Sequence, residues 1–152
     1  MQQGTPTQLA LITGASSGIG QALAARYYAA GYRLALIARR TSETKSWATQ
    51  HGMDTDRFQV YSGDVAIVDS IVAACQACLE QQGLPDVVVA NAGISVGVDT
   101  AVRTDLEVMS RVFATNNIGM AATFHPFVQG MRDRGSGKLV GIGSVAGIRG
   151  LP

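Results

Sequence analysis

Thr13-Gly14-Ala15-Ser16-Ser17-Gly18-Ile19-Gly20 joins an apolar run to a helical pattern, and its reading decides the fold. On its N-terminal side, Leu9–Thr13 is short and apolar, as a strand buried in a sheet would be. On its C-terminal side, Ile19, Leu23, Arg26/Tyr27 and Ala30 recur at three- and four-residue steps, which predicts a helix over Ile19–Ala30. A glycine motif gains physical meaning in this strand–turn–helix setting. Gly14 lets the chain turn sharply off the strand. Gly18 has no Cβ, so a diphosphate can approach the backbone, and Gly20 lets the helix lie close to the sheet. The unpaired N–H groups at the helix start, together with the helix dipole, would stabilise that anion. Ser16 and Ser17 add hydroxyl donors. The spacing is G-x-x-x-G-x-G rather than G-x-G-x-x-G, and no Gly-Lys-Ser/Thr follows, so it is not a P-loop. The plain alternative is a glycine-rich turn with no ligand.

Outward from this turn the same alternation repeats. Gly31 closes the first helix, and Arg33–Ala38 reads as a second strand. Ser42–His51 is a short helix closed by Gly52, and Arg57–Tyr61 a third strand. Val68–Gln82 is helical, with Gly83 and Pro85 beyond it. The valine run Asp86–Ala90 suits a strand covered on both faces. Thr104-Asp-Leu-Glu107 has the pattern of a capping box, so a helix starts there and runs to Arg132–Arg134, bent near Gly119 and Pro126. Lys138–Ile142 is the fifth strand. Crossovers of this length connect parallel strands and are right-handed. The expected fold is α/β: a Rossmann-type doubly wound parallel sheet, one domain over 1–152, truncated after the fifth strand. The expected fifth strand would then present an open apolar edge.

Composition narrows the function classes. Of 152 residues, 47% are hydrophobic and 15% charged, enough to bury a core and too apolar for wholesale disorder. Twelve Lys+Arg against eleven Asp+Glu leave a net charge of +1, so no global pull toward nucleic acid or a membrane surface follows. No apolar stretch approaches the ~18 residues of a membrane span, and Met1–Gln8 is polar, so a cytoplasmic setting is expected. Cys75 and Cys78 form a C-x-x-C, but inside a helical pattern rather than at a helix start after a strand. With no second pair for zinc and with His51 and His125 isolated, they read as ordinary helix residues and no metal site is expected.

The end of the second strand bears on a cofactor. An NAD-binding sheet of this type places Asp or Glu there, ~20 residues past the glycine turn, to bond a ribose 2′-hydroxyl. Here the stretch is Ile37-Ala38-Arg39-Arg40, without a carboxylate. Arg39 could pair with a 2′-phosphate through charge-assisted bonds, which favours NADP(H) and leaves NAD open. The alternative is that both arginines are a solvated helix start.

Three further signatures accompany the glycine turn: Asn91-Ala92-Gly93 after the fourth strand, Asn116-Asn117-Ile118-Gly119 in the long helix, and Gly143-Ser144-Val145-Ala146-Gly147 after the fifth strand. In this order the four motifs closely resemble the short-chain dehydrogenase/reductase family, from Leu9 onward. The resemblance implies that Thr13, Gly14, Gly18, Ile19 and Gly20 belong to the cofactor-binding turn. It implies that Asp64 contacts the adenine amino group and that Asn91, with Ala92 and Gly93, braces the sheet centre near the cofactor ribose. Asn116 matches the catalytic Asn whose kinked helix holds a water of the proton relay. Ser144 matches the catalytic Ser that hydrogen-bonds the substrate oxygen. Asn91 and Ser144 follow strand C-termini, the edge where open α/β sheets bind ligands. Pure scaffolding for Asn91, an exposed helix face for Asn116 and a turn serine for Ser144 stay open.

The family's Tyr-x-x-x-Lys, which would follow Ser144 by about a dozen residues, is not among residues 1–152. Tyr27, Tyr28, Tyr32 and Tyr61 do not match it. The resemblance therefore implies a nicotinamide-dependent oxidoreductase acting on a small-molecule carbonyl or alcohol, with little turnover from this chain alone and a homodimer or homotetramer at full length. A non-catalytic dinucleotide-binding module is the alternative. A methyltransferase fits the glycine spacing and Asn-Ala-Gly poorly.

Overall fold

The computed structural model describes residues 7–148, and the chain end at Leu151-Pro152 on which the truncated sheet was expected lies outside them. Five strands form one sheet in the order β3-β2-β1-β4-β5. They are β1 (Leu9–Thr13), β2 (Arg33–Ala38), β3 (Phe58–Ser62), β4 (Val87–Ala90) and β5 (Lys138–Gly141). All neighbours pair in parallel. The helices are α1 (Gly18–Ala29), α2 (Thr41–Gln50), α3 (Val68–Gln82), α4 (Asp105–Phe113) and α5 (Gly119–Arg134). The Rossmann-type α/β fold expected from the alternation is the one observed.

Side-chain alternation along the strands divides the core. Leu9 and Leu11 of β1, with Ala35, Ile37 and Val88, face one layer that holds Ile71, Cys75 and Cys78 of α3 and Phe127 of α5. Ala10 and Ile12, with Leu34, Leu36, Val87 and Val89, face the other, which holds Ala24 of α1 and Ala48 of α2. β1 is buried along its whole length because β2 and β4 flank it and helices cover both faces. Phe127 is fully buried, and burial of such a ring stabilises the α5 contact by about 2–3 kcal/mol. Among the described residues β5 pairs with β4 alone, and its Leu139 is 42% exposed.

Two local expectations are corrected. The Thr104 side chain makes no cap bond, because Thr104 already has helical dihedrals, φ −69 and ψ −24, rather than the extended backbone of an N-cap. The Asp105 carboxylate instead reaches back to accept from the Asp99 N–H at 2.8 Å, and Glu107 pairs loosely with Arg103 at 4.0 Å. The long helix is also interrupted earlier than Gly119. A π-helical turn, Ala114–Ile118, separates α4 from α5, while Pro126 lies inside α5 without ending it. The wider turn absorbs one extra residue, a device often found at functional sites.

Cys75 and Cys78 lie on the buried face of α3, as ordinary helix residues do. The Cys75 thiol donates to the Thr123 carbonyl at 3.7 Å. Burial pushes the Cys75 thiol up to about 12, with Cys78 beside it adding to the effect, and burial likewise pushes Cys78 up to about 12 against a smaller opposing pull from Arg33. Protonated, buried thiols are poor nucleophiles and poor metal ligands.

Candidate functional site

A cleft of about 540 Å³ opens where β1, β2, β3 and β4 end. The glycine turn forms one wall. Gly14 (φ 67) and Gly18 (φ 54) are left-handed, a conformation costly for any residue with a Cβ. A Cβ on Gly20 would run into the Gly14 carbonyl oxygen, so only glycine lets α1 start directly against the turn. A Cβ on Gly18 would meet nothing within 4 Å: the backbone there is open to a ligand. Ser17 occupies the N-cap of α1 in extended conformation without a side-chain cap bond, which leaves the first N–H donors of α1 without a side-chain acceptor. Ser16, Ser17 and Ile19 line the same wall. These residues fit a diphosphate.

β4 supplies the floor. The Thr13 hydroxyl, 1% exposed, accepts from the N–H groups of Asn91 at 3.0 Å and Ala92 at 3.1 Å. Asn91 Nδ2 donates in return to the carbonyls of Thr13 at 3.0 Å and Gly14 at 3.4 Å. Asn91 thus ties β4 to the glycine turn and also lines the cleft with Ala92 and Gly93. Thr13 and Gly20 stand behind this surface and shape it without lining it.

The far end carries charge. Arg39, 75% exposed, lies 3.9 Å from Asp64, a contact too long and too wet to be worth much. The other Asp64 oxygen accepts from the Ala66 N–H at 3.0 Å, and the Asp64 N–H donates to the Ser70 hydroxyl at 3.0 Å. Arg40, at the N-cap of α2, pairs with Glu43 at 3.0 Å and approaches the Ser16 hydroxyl at 3.5 Å. Glu43 offsets the unfavourable placement of a cation at a helix start.

Ten of the twelve residues singled out for cofactor binding line this cleft; the two catalytic candidates do not. Asn116 sits on the π-helical turn, where Oδ1 accepts from the Ile94 N–H at 2.8 Å and Nδ2 donates to the Ile94 carbonyl at 2.7 Å. Ser144 follows β5, exposed, and its carbonyl accepts from the Gly147 N–H at 3.0 Å. Arg40, Arg111 and Thr115 line the cleft and were not singled out from sequence. Arg40 stood beside the residue chosen, whereas Arg111 and Thr115 carry no local signal because they reach the cleft only through the packing of α4 and the π-helical turn after it.

None of the four tyrosines lines the cleft. The Tyr61 phenol donates to Gln82 Oε1 at 3.0 Å, and burial holds it well above its ordinary range. Tyr28 is bonded to Asp54, and Tyr27 packs edge-on against Tyr32.

The family model described as short chain dehydrogenase matches residues 8–152. The chain belongs to the short-chain dehydrogenase family. The chain is 37% identical over 97% of its length to the Drosophila melanogaster "Dehydrogenase/reductase SDR family protein 7-like", covering 46% of that protein. It is 34% identical over 95% of its length to an acetoacetyl-CoA reductase of Rhizobium meliloti, covering 58% of it. An actinorhodin polyketide ketoreductase solved with NADPH superposes with a TM-score of 0.85 at 32% identity, over 95% of this chain and 56% of that one. The chain spans about half the length of the curated relatives it matches. No helix among its described residues is long and apolar enough to cross a membrane.

Proposed function

We propose that this short-chain dehydrogenase, as one dinucleotide-binding domain, holds a nicotinamide dinucleotide along the C-terminal edge of its sheet and serves hydride transfer to or from a small-molecule carbonyl or alcohol. The observation that carries this reading is the open left-handed backbone at Gly18, set against the start of α1 and continuous with a cleft that ends at Asp64. Gly14, Gly18 and Ile19, with the Ser16 and Ser17 hydroxyls, hold the diphosphate. Asp64 accepts from the adenine amino group, and Asn91 with Ala92 and Gly93 supports the ribose on the nicotinamide side. The bound dinucleotide supplies or takes up the hydride.

Arg39, with Arg40 beside it, supports a preference for NADP(H). A 2′-phosphate would replace the weak Arg39–Asp64 contact with a charge-assisted pair, and Arg40 lies within reach of the same corner through Ser16. NADPH in the ketoreductase relative agrees with this reading. Ser144 orients the substrate oxygen. Asn116 holds the loop after β4 and a water of the proton relay. The full-length protein is read as a homodimer or homotetramer, supported by exposed Leu106 and Phe113, seven residues apart on α4. The two reduced cysteines agree with a cytoplasmic setting.

Titration calorimetry with NADPH and NADH tests the reading: saturable binding of at least one is expected, and binding of neither overturns it. A second reading is a non-catalytic dinucleotide-binding module, supported by the engagement of Tyr61 with Gln82 and of Tyr28 with Asp54 outside the cleft. Carbonyl-dependent oxidation of NADPH separates the two, since a module binds without turnover.

A further inference from the structure

Arg39 pairs with Asp64 and Arg40 with Glu43, but among the described residues no ion pair engages the third cleft guanidinium, that of Arg111. Arg111 is exposed and lies in the last turn of α4. A last-turn arginine is ordinarily explained by the helix dipole. That explanation fails here, because the chain continues without a break into the π-helical turn, and the Arg111 carbonyl already accepts from the Thr115 hydroxyl at 3.0 Å.

The segment Gly63–Ala66 touches both sides of this end of the cleft. Asp64 contacts Arg39 on the β2 side, while the Val65 carbonyl lies directly against Gly119 at the start of α5. Arg111 is eight residues before Gly119, about 12 Å along the helical wall. Arg111 therefore belongs to the helical wall of the cleft that Asp64 and Arg39 also line. The cleft lining also includes the apolar side chains of Val65, Ala66, Ile94 and Ala114. Apolar lining beside an unpaired planar cation suits a heteroaromatic ring better than a second phosphate, because the guanidinium can lie over the ring face.

We infer that Arg111 is a further cofactor-binding residue, stacking its guanidinium on the purine base held above Asp64. This rests on the dinucleotide reading of the cleft. The purine is common to NADPH and NADH, so Arg111 acts on affinity and leaves the choice between the two to Arg39 and Arg40.

The test is calorimetric titration of the unaltered protein, Arg111→Ala and Arg111→Lys with NADPH and with NADH. Arg111→Ala should weaken both dinucleotides about fivefold, with their ratio unchanged. Arg111→Lys keeps the charge without the planar face and should recover little of the loss. Both replacements are good helix formers at an exposed position, so thermal midpoints should stay close to that of the parent. Unchanged affinity in Arg111→Ala overturns the inference. So does a loss confined to NADPH, which would make Arg111 a phosphate ligand, and so does full recovery in Arg111→Lys, which would make it a point charge. If the unaltered protein binds neither dinucleotide, the cleft reading itself fails, and the inference falls with it.

Discussion

The Asn116 carboxamide satisfies both backbone polar groups of Ile94, accepting from its N–H at 2.8 Å and donating to its carbonyl at 2.7 Å. The π-helical turn is what presents Asn116 to the loop after β4, and Gly93 permits the approach: a Cβ there would lie 3.2 Å from Asn116 Oδ1. Asn116→Ala should cost about 1–2 kcal/mol. That corresponds to a fall in thermal midpoint of roughly 3–6 °C. Hydrogen exchange at Ile94 should accelerate. Unaltered exchange there would show that the loop is held by other contacts.

The same logic applies to the Thr13 hydroxyl, which accepts from two backbone N–H groups of β4 and its loop. Thr13→Val keeps the volume and strands both donors, so about 2 kcal/mol should be lost in urea unfolding. Thr13→Ser should restore most of it. If valine and serine behave alike, the hydroxyl is not what joins the turn to β4.

Gly18 and Gly20 should fail in different ways. Gly20→Ala drives a methyl into the Gly14 carbonyl and the Asn91 side chain, and overpacking against backbone should cost about 2–3 kcal/mol of stability. Gly18→Ala meets no protein atom and costs only about 1–2 kcal/mol of left-handed strain. Its methyl would stand where the diphosphate is proposed to bind, so dinucleotide affinity should fall on the order of tenfold through lost N–H contacts to the anion. Parallel unfolding and binding titrations distinguish the two.

Charge reversal at the 2′ corner should change preference rather than fold. Arg39→Asp should lower the NADPH-to-NADH affinity ratio by about tenfold or more. Arg40→Ala should lower it less, because Arg40 is already paired with Glu43. A ratio that does not move in either variant removes both arginines from nucleotide selection.

The two buried thiols set an alkaline limit. Each is raised from 9.0 to about 12 in the folded chain. The folded state therefore binds more protons than the unfolded state between these values, and stability falls as pH rises through that window. Below pH 9 the contribution is fully present. Stability measured by denaturant from pH 8 to 11 should decline, and Cys75→Ala/Cys78→Ala should flatten the decline. A disulfide-exchange reagent at pH 8 should label neither thiol until the chain unfolds; rapid labelling of the native protein would contradict their burial.

What could be read from the chain without coordinates is whatever depends on a few consecutive residues. Apolar runs of four or five residues, helical spacing between them and glycines at left-handed turns placed the five strands and the first three helices to within a residue or two, while the division of the long helix into α4, a π-helical turn and α5 was not legible. They also placed Gly14, Gly18 and Gly20, whose conformations are local backbone requirements. The resemblance added Asp64, Asn91 and Asn116 because they lie in short motifs. Folding alone decided the strand order and which side chains meet across it. The Asp105 carboxylate, not Thr104, organises the start of α4; Arg40 reaches Ser16, 24 residues earlier; and Arg111 reaches the cleft from a helix 47 positions after Asp64. A proximity of that kind is set by how α4 and α5 lie against β3 and β4. It leaves no periodic or spacing signature in the chain, because the energy that creates it comes from burying Phe127, Ile71 and Val88 elsewhere.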